Sequence, residues 1–533
     1  MGNGVVHSEL ALQLKLSTLF HTIRHLRPIQ IRYQLWYRLR GLWYSVSTYN
    51  NDYGRGKLRK WVNHIAVSTR YEEQAFTFLN VKHIFDSGLD WNIEDYGKLW
   101  VYNLNYFDFL NQPELDTADA NYLISDFIEK YDSHTHGIEP YPISLRVINW
   151  IKYIYRQGIT DKGMDNTIGK DIQRLLDNLE YHLLGNHLLE NGFALLFAAY
   201  YFEDKDLYNK ASHLIIDQLE EQIKSDGAHY ELSVMYHQLM LFRVLDCIQL
   251  VRNSKWKVDS ELQSLFESKA GIMLGWLCEI TFDNGDIPLF NDAAIDICPS
   301  TNELSKYASA LGISAVEVEL SDSGYRKLRV SQMECICDVG DVSPSYQPGH
   351  SHADSLSYVL HCRQKPFIVE AGTSTYENNS RRAYERSTPA HNTVVIDNMN
   401  STEVWGSFRV GRRAKSKIDT DQPVKLQAQH NGYWQMYGVS HQRAWEQLNN
   451  DFKITDTIKG QSGVAYLHLD HSVTILSADD KSVITCRGVV TFDNASRVEI
   501  EKYEQALGMN VLGEANYIAV AFKERLTTII SAE

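Results

Sequence analysis

The chain has 533 residues, a formal net charge of −15 and 44% hydrophobic residues, as expected of an ordinary folded globular protein. The negative charge argues against a nucleic-acid-binding surface, although a local basic cluster could still bind an anionic ligand. Seven cysteines without a C-x-x-C pair do not indicate a disulfide framework. No stretch approaches the ~18 consecutive apolar residues that a spanning helix needs, so we expect no transmembrane segment.

The N-terminal segment at about residues 9–40 is predicted to be helical and basic. It carries six lysines and arginines against one acid, Glu9, and Pro28 divides it. A helix that touches a membrane or an anionic ligand fits this pattern, and so does a helix with solvated arginines and inward-packed Leu, Ile and Trp. The first residues lack a secretory signal pattern, which predicts a cytoplasmic protein. A leader removed from the chain would instead imply a periplasmic or secreted one.

The chain changes character near residue 320. Before it, stretches such as SLRVINWIKYIYR and YHQLMLFRVLDCIQLVR repeat apolar residues every three or four positions, which predicts helices packed on helices. After it, short segments such as SLSYVLHCR and DFKITDTIKG are rich in β-branched and aromatic residues and bounded by Gly, Asn and Asp. The sequence therefore predicts a many-helix domain followed by an all-β domain.

The stretch GHSHADSLSYVL is the first candidate for chemistry. On a strand, His350, His352 and Asp354 would share one face because alternate residues point the same way. Glu370 and His391 follow within forty residues of His352. His352, Glu370 and His391 form a set of two nitrogens and one oxygen that suits zinc, though twenty histidines also produce chance triples. A metal site, acid–base chemistry and a buried strand all remain open at this point.

The helical half contains two further polar clusters. In LLGNHLLENG, Asn186, His187 and Glu190 interrupt an apolar neighbourhood on one helical face, or else form a helix end with Asn and Gly as caps. In DGAHYELSVMYHQL, Tyr236 lies near a predicted helix start, for which Ser233 is a plausible N-cap.

Nine pieces in order, from about residue 99 to 415, resemble the heparinase II/III family of polysaccharide lyases, with kinship to alginate lyases of the same architecture. They are LWVYNLNYFDFL, PISLRVINW, GNHLLENG, DGAHYELSVMYHQ, IPLFNDAA, GHSHADSLSYVL, VEAGTSTYE, RSTPAHNTVVID and EVWGSFRVGRRAK. The resemblance implies a multidomain α+β fold: an incomplete α/α toroid over residues 1–320, then an antiparallel β-sandwich over residues 321–533. The active site is expected in the cleft between them.

The resemblance also implies β-elimination at a uronic acid, in which the C5 proton is removed and the C4–O4 bond breaks. The implied catalytic residues are Tyr236, His350, Asn186, His187, Glu190 and Tyr376. Asn186 and His187 would bind the uronate carboxylate and stabilise the charge that develops there. Tyr236 and His350 match a catalytic tyrosine and histidine, and which acts as acid and which as base stays open.

The same resemblance implies a zinc ion that braces the sandwich, bound by His352, Glu370, His391 and water. Glu370 departs from the family pattern, in which this ligand is usually Asp. The implied substrate-binding residues are Arg146, Asn149, Trp405, Arg409, Arg412 and Arg413, because guanidinium groups suit carboxylates and sulfates and an exposed Trp can stack on a sugar. The rival interpretations are a solvated loop for the basic run of Arg409, Arg412 and Arg413, and buried pairing for Arg146.

The sequence thus predicts a lyase for an anionic polysaccharide, with heparin or heparan sulfate favoured as the substrate. Alginate or a bacterial exopolysaccharide is the nearest alternative. A catalytically silent polysaccharide-binding or assembly protein is a rival of another class, although the candidate catalytic residues are all present. A zinc hydrolase is disfavoured because the chain has no H-E-x-x-H helix. The oligomeric state stays open.

Overall fold

The computed structural model describes residues 16–41, 54, 56–68, 70–86, 88–113 and 115–532. The start of the predicted basic segment, and most of the stretch behind the localisation prediction, lie outside the described residues. The rest of that segment forms two helices, and Pro28 begins the second of them.

The first half of the chain is predominantly helical, as predicted. Its helices pack mainly on helices that are neighbours, or next neighbours but one, along the chain. A small three-stranded sheet, which the sequence pattern did not predict, is inserted before the helix that begins at Lys98. The helices are α1 (16–23), α2 (Pro28–Arg40), α3 (Lys98–Tyr106), α4 (Thr117–Glu129), α5 (Pro140–Gln157), α6 (Lys162–Asp177), α7 (Gly185–Phe202), α8 (Lys205–Gln222), α9 (Val234–Arg252), α10 (Ser260–Ile280) and α11 (Thr301–Ala310), and the inserted strands are β1 (Tyr71–Glu72), β2 (Ala75–Phe78) and β3 (Val81–Ile84).

Local sequence explains where the central helices begin and end. Pro140 occupies the first turn of α5, where its missing N–H costs nothing, and Gly158 ends the helix with a left-handed backbone. Ser233 caps α9, as predicted, by accepting a hydrogen bond from the backbone N–H of Tyr236. Helix α9 is also the one helix among the described residues that is long and apolar enough to cross a membrane, and 94% of that stretch is buried inside the protein.

The second half is a β-sandwich of two antiparallel sheets. Its strands are β4 (Tyr325–Val330), β5 (Met333–Asp338), β6 (Tyr358–Cys362), β7 (Lys365–Ile368), β8 (Val394–Val395), β9 (Val404–Trp405), β10 (Arg409–Val410), β11 (Ser416–Gln422), β12 (Lys425–His430), β13 (His441–Leu448), β14 (Asp451–His468), β15 (Ile475–Ala478), β16 (Ser482–Thr485), β17 (Val489–Gly508) and β18 (Val511–Ser531), with short helices α12 (Ser380–Glu385) and α13 (Trp434–Tyr437). The smaller sheet has four strands in the order β4-β5-β6-β7, and the larger has nine, with β8 paired to β14 beside the main path β11-β12-β13-β14-β18-β17-β16-β15.

Alternation along the strands builds the core between the sheets. On β12 every second residue is buried, including Leu426 and Ala428, which is the period of a strand with one face on a core. These side chains pack in one apolar cluster with Leu360 of the smaller sheet and Trp445 of the larger. The sandwich therefore has its own core, separate from that of the helices.

The two halves meet closely around the predicted cleft. The last helix of the first half ends at Ala310 and the first sandwich strand begins at Tyr325, on either side of the predicted boundary. The turn between β17 and β18 reaches back to the helical half, where the Asn80 side chain donates to the Met509 carbonyl at 2.9 Å. The multidomain α+β fold class, a helical toroid followed by an antiparallel sandwich, is confirmed.

Candidate active site

Three aromatic side chains from both halves meet in the cleft. The ring of Tyr236, at the start of α9, lies 4.0 Å from that of His350, centroid to centroid. The Tyr236 and Tyr376 hydroxyl oxygens are 3.3 Å apart. Burial, and then the neighbouring Tyr376 and Asp292, raise the pKa of Tyr236 well above its ordinary value, so its phenol is protonated at neutral pH. The structure thus brings together the three residues that sequence reasoning drew from separate segments.

Asp292 fixes the orientation of His350. Its Oδ2 lies 2.9 Å from the Nδ1 of His350, and its Oδ1 lies 2.9 Å from the Nε2 of His352. Arg382 donates to both oxygens, one of them at 2.6 Å. Burial opposes the charge on Asp292, but Arg382 and the two histidines outweigh it and hold the pKa of this carboxyl well below its usual range. Because a carboxylate only accepts, His350 presents Nδ1–H to it and keeps the Nε2 lone pair free.

The N-terminus of α7 supplies the polar side chains on the other side. Asn186 and His187 lie in its first turn, so the helix begins there and does not end there. Gly185 precedes them at φ 64°, and a Cβ on this residue would come within 2.8 Å of Glu231 Oε1. A side chain here would be strained by the positive φ and would have to displace the Glu231 carboxylate. The same Glu231 oxygen accepts from the backbone N–H of Asn186 at 3.2 Å.

His187 and Glu190 have different environments. The His187 side chain is 36% exposed, and its Nδ1 lies 2.9 Å from Glu180 Oε1. Burial lowers the pKa of His187, but Glu180 outweighs it, so the pKa is raised overall. Glu190 is buried against Arg243, whose Nε lies 3.2 Å from both carboxylate oxygens. Burial raises the pKa of Glu190, against the opposing effect of Arg243.

Glu231 links the helix N-terminus to the histidine. Its second oxygen, Oε2, is buried, has no hydrogen-bond partner in the described part of the chain and lies 3.8 Å from His350 Nε2. A carboxylate at this distance stabilises positive charge on the imidazole. Glu231 therefore faces the one ring nitrogen of His350 that is free to take a proton.

The predicted zinc ligands, His352, Glu370 and His391, lie close together next to this site, but their side chains do not all point to one common position. The rings of His352 and His391 are 5.3 Å apart, and within the described ranges their buried Nδ1 and Nε2 atoms, respectively, have no hydrogen-bond partner. Glu370 instead accepts from Nδ1 of His391 and from the Ser357 hydroxyl. Over the residues that the structure describes, no three His, Cys, Asp or Glu side chains form a metal-binding group. The two free nitrogens suit a metal, whereas Glu370 lies where carboxylates orient metal-bound histidines.

The predicted substrate contacts of Arg146 and Asn149 are wrong. Arg146 is fully buried, pairs with Asp171 through two hydrogen bonds of 2.9 Å, and donates to two backbone carbonyls. Asn149 is buried beside it and donates to the Tyr106 carbonyl and to Asp108. The polar groups of both side chains are hydrogen-bonded inside the toroid, so neither side chain can reach a substrate.

The basic run on the sandwich side has mixed surroundings. Trp405 donates from Nε1 to Thr22 in α1, and Arg412 donates to Ser17, so both contact the N-terminal helices. Arg413 donates to the Ser345 carbonyl. Arg409 is exposed and lies over the Trp405 ring, and its substrate contact stays a prediction.

Four residues of the site were missed or given no chemistry from the sequence. Phe408 packs against His350 and Tyr376, with ring centroids 5.9 and 5.4 Å away. Asp292, Arg382 and Glu231 act through the contacts described above. A signal existed for Asp292, Glu231 and Phe408, because each lies inside one of the pieces that carry the resemblance. Arg382 lies in none of them and is identified by its contacts in the fold.

Comparison with known proteins agrees with this architecture. The family model described as heparinase II/III N-terminus matches residues 169–311, and the model described as heparinase II/III-like, C-terminal, matches residues 315–515. A crystal structure of heparinase III superposes with a TM-score of 0.62 at 15% identity, covering 84% of this chain and 80% of that one. A mutant of the heparan sulfate lyase HepC from Pedobacter heparinus gives 0.56 at 16% identity, covering 86% and 81%. No curated protein sequence matches the chain.

At these identities the solved structures establish a shared fold. The two family models are consecutive, and together they span well over half of the chain, including every catalytic candidate. The chain belongs to the heparinase II/III family of polysaccharide lyases.

Proposed function

We propose that this protein cleaves a uronic-acid-containing glycosaminoglycan by β-elimination, with substrates of the heparin and heparan sulfate type favoured. The observation that carries the proposal is the contact of Tyr236 with His350, which Glu231 links to the N-terminus of α7. The cleft between the domains therefore contains a protonated phenol, an oriented imidazole and the polar donors of α7. Family membership and the heparan sulfate lyase among the structural neighbours support this substrate class.

The first requirement of the reaction is to stabilise charge at the uronate carboxylate. The C5 proton becomes acidic only when donors take up the negative charge that develops on this group. Asn186 and His187 lie in the first turn of α7, where the helix dipole also favours anions. The raised pKa of His187 keeps its imidazole cationic more readily, which suits it to bind a carboxylate.

The second requirement is a base for the C5 proton and an acid for the O4 oxygen. His350 is our candidate for the base, because Asp292 engages its Nδ1 and leaves Nε2 free. Tyr236 is our candidate for the acid, because its pKa is raised and its phenol carries a proton to deliver to O4. Tyr376 lies within hydrogen-bond reach of Tyr236 and would hold that hydroxyl in place.

The direct test is a substrate panel with the purified protein. Heparan sulfate, heparin, chondroitin sulfate and alginate are incubated in parallel, and the unsaturated uronate product is followed by ultraviolet absorbance and mass spectrometry. We expect turnover of a heparin-type polymer. Turnover of alginate alone would replace the substrate class, and binding without any unsaturated product would support a silent binding protein.

Glu231→Gln is expected to lower kcat by about tenfold or more with little change in KM. The carboxylate stabilises the imidazolium that forms as His350 takes the proton, which is an interaction made mainly in the transition state. The amide oxygen can still accept from the Asn186 N–H, so the helix start is kept. Steady-state kinetics on the preferred polymer measure the split.

Glu334→Gln is the matched control for that variant. Glu334 is also a buried acid, and its Oε1 lies 3.2 Å from the Nζ of Lys327. This ion pair lies away from the cleft. It should leave kcat within about twofold of wild type. An unchanged kcat in Glu231→Gln would remove Glu231 from the site.

We also propose a bound zinc ion with a bracing role. His352 and His391 would bind it through their unpaired ring nitrogens, and Glu370 would orient His391. Burial lowers the pKa of His352 to about 3, so its ring is neutral and its free nitrogen can bind a metal. When bound, the ion would hold these segments of the sandwich together.

Metal analysis tests this proposal without any activity assay. The purified protein is expected to contain about one equivalent of zinc, and His391→Ala should lose it together with part of its thermal stability. Added chelator should lower the melting temperature of the wild type and leave that of His391→Ala unchanged. A wild-type protein without zinc and without a response to chelator would reject the ion.

A further inference from the structure

The two N-terminal helices pack with their polar sides inward and their apolar sides outward. In α2, Gln30 is fully buried, and its side chain donates to the Leu183 carbonyl and to Gln347. Tyr33 stacks on Tyr181, and Tyr37 donates to the Leu179 carbonyl at 2.6 Å. On the opposite side Leu35, Trp36 and Leu39 are each at least half exposed. This orientation is the reverse of a helix that covers a protein core.

The preceding helix α1 repeats the arrangement. It contacts the sandwich through hydroxyl groups, with Thr22 accepting from Trp405 at 3.1 Å and Ser17 accepting from Arg412 at 3.0 Å. Its apolar residues at three- and four-residue spacing, Leu16, Leu19, Phe20 and Ile23, are exposed. Both helices thus expose a stripe of apolar residues. We call the exposed surface of residues 16–40 the N-terminal face.

The charge of the N-terminal face is opposite to that of the whole protein. Residues 16–41 contain five arginines and no Asp or Glu, in a chain whose net charge is −15. Arg24, Arg32 and Arg38 are exposed among the apolar residues. Exposed Leu, Ile, Phe and Trp beside arginines are the composition of helices that lie in a bilayer interface and bind anionic headgroups.

We propose that the N-terminal face docks on an anionic membrane surface, with the apolar stripes in the headgroup region and the arginines on lipid phosphates. Charge favours this occupant over a second copy of the chain, because two like-charged faces would repel each other in a symmetric dimer. An anionic polysaccharide would use the arginines but leave the apolar stripes in water. The proposal does not depend on the lyase activity.

Vesicle flotation of the full chain tests the proposal. We expect binding to vesicles that contain phosphatidylglycerol, weak binding to pure phosphatidylcholine vesicles, and a decrease as salt is raised. Leu35→Ser combined with Trp36→Ser should reduce the bound fraction about tenfold, and so should Arg32→Gln combined with Arg38→Gln. Turnover of a soluble oligosaccharide should be unchanged in both, since these side chains lie outside the cleft.

Control variants distinguish docking through the N-terminal face from non-specific hydrophobic adsorption to vesicles. Val258 and Leu476 are exposed apolar residues elsewhere, so Val258→Ser combined with Leu476→Ser should bind vesicles like wild type. No binding of the intact chain to anionic vesicles would overturn the proposal. It would also be overturned if binding appeared only after deletion of residues 1–15, or if light scattering showed a dimer that Leu35→Ser with Trp36→Ser dissociates.

Discussion

Tyr236→Phe is expected to lower kcat by at least ~100-fold, because removal of a general acid typically costs that much. The ring keeps its contact with His350, so the fold and the cleft should survive. Only the hydroxyl that faces Tyr376 is lost. Initial rates of unsaturated uronate formation, at saturating and at low polymer concentration, measure the effect on kcat and on kcat/KM.

Tyr230→Phe is the matched control. Tyr230 is also buried at the domain interface, but its hydroxyl pairs with that of Tyr346, at 2.6 Å, and not with Tyr376. This variant should keep kcat within a few fold of wild type. Equal and small losses in both variants would show that Tyr236 does not deliver the proton.

Asp292→Asn is expected to reduce both stability and turnover. The amide leaves the Arg382 guanidinium buried without its counter-charge, and breaking a buried ion pair in this way costs about 3–5 kcal/mol of unfolding free energy. The side chain would also no longer hold His350 in the tautomer with Nε2 free, so kcat should fall by ~100-fold or more. Urea unfolding measures the first effect, and kinetics on the folded protein measure the second.

The sandwich contains a similar triad that separates the two effects. Asp456 accepts from His441 at 2.6 Å and from Arg443 at 2.7 Å, and all three side chains are buried. Burial opposes the charge, but Arg443 and His441 outweigh it and lower the pKa of Asp456 to about 2. Asp456→Asn should therefore destabilise the protein to a similar degree while kcat stays near wild type. A comparable loss of kcat there would mean that Asp292 acts through stability alone.

Sequence patterns predicted the architecture because both halves follow simple periods. Apolar residues recur every three or four positions up to about residue 320, and short β-branched segments bounded by turn residues follow. This change lies between the end of α11 and the start of β4. The cluster of Tyr236, His350 and Tyr376 was predicted from resemblance, since these residues are far apart in the chain and periodicity does not connect them.

The errors arise where burial decides the role of a polar residue. Arg146 has the chemistry of a carboxylate binder, but its partner Asp171 lies on the next helix, where no local pattern shows the pairing. Asp292 and Arg382 are 90 residues apart, and only the closed fold makes them partners. The exposed apolar side of α2 is a similar case, because the amphipathic pattern was visible but its direction was not.

The N-terminal helices hold both halves of the molecule at once. Arg27 pairs with Glu221 on the helical side and lies over the Tyr346 ring on the other, while Trp405 and Arg412 contact α1 from the sandwich. A ligand that restrained these helices would also restrain the spacing of the domains on which Tyr236 and His350 are carried. Thermodynamic linkage then requires reciprocity: if docking alters polymer affinity, a bound polymer must alter docking by the same factor.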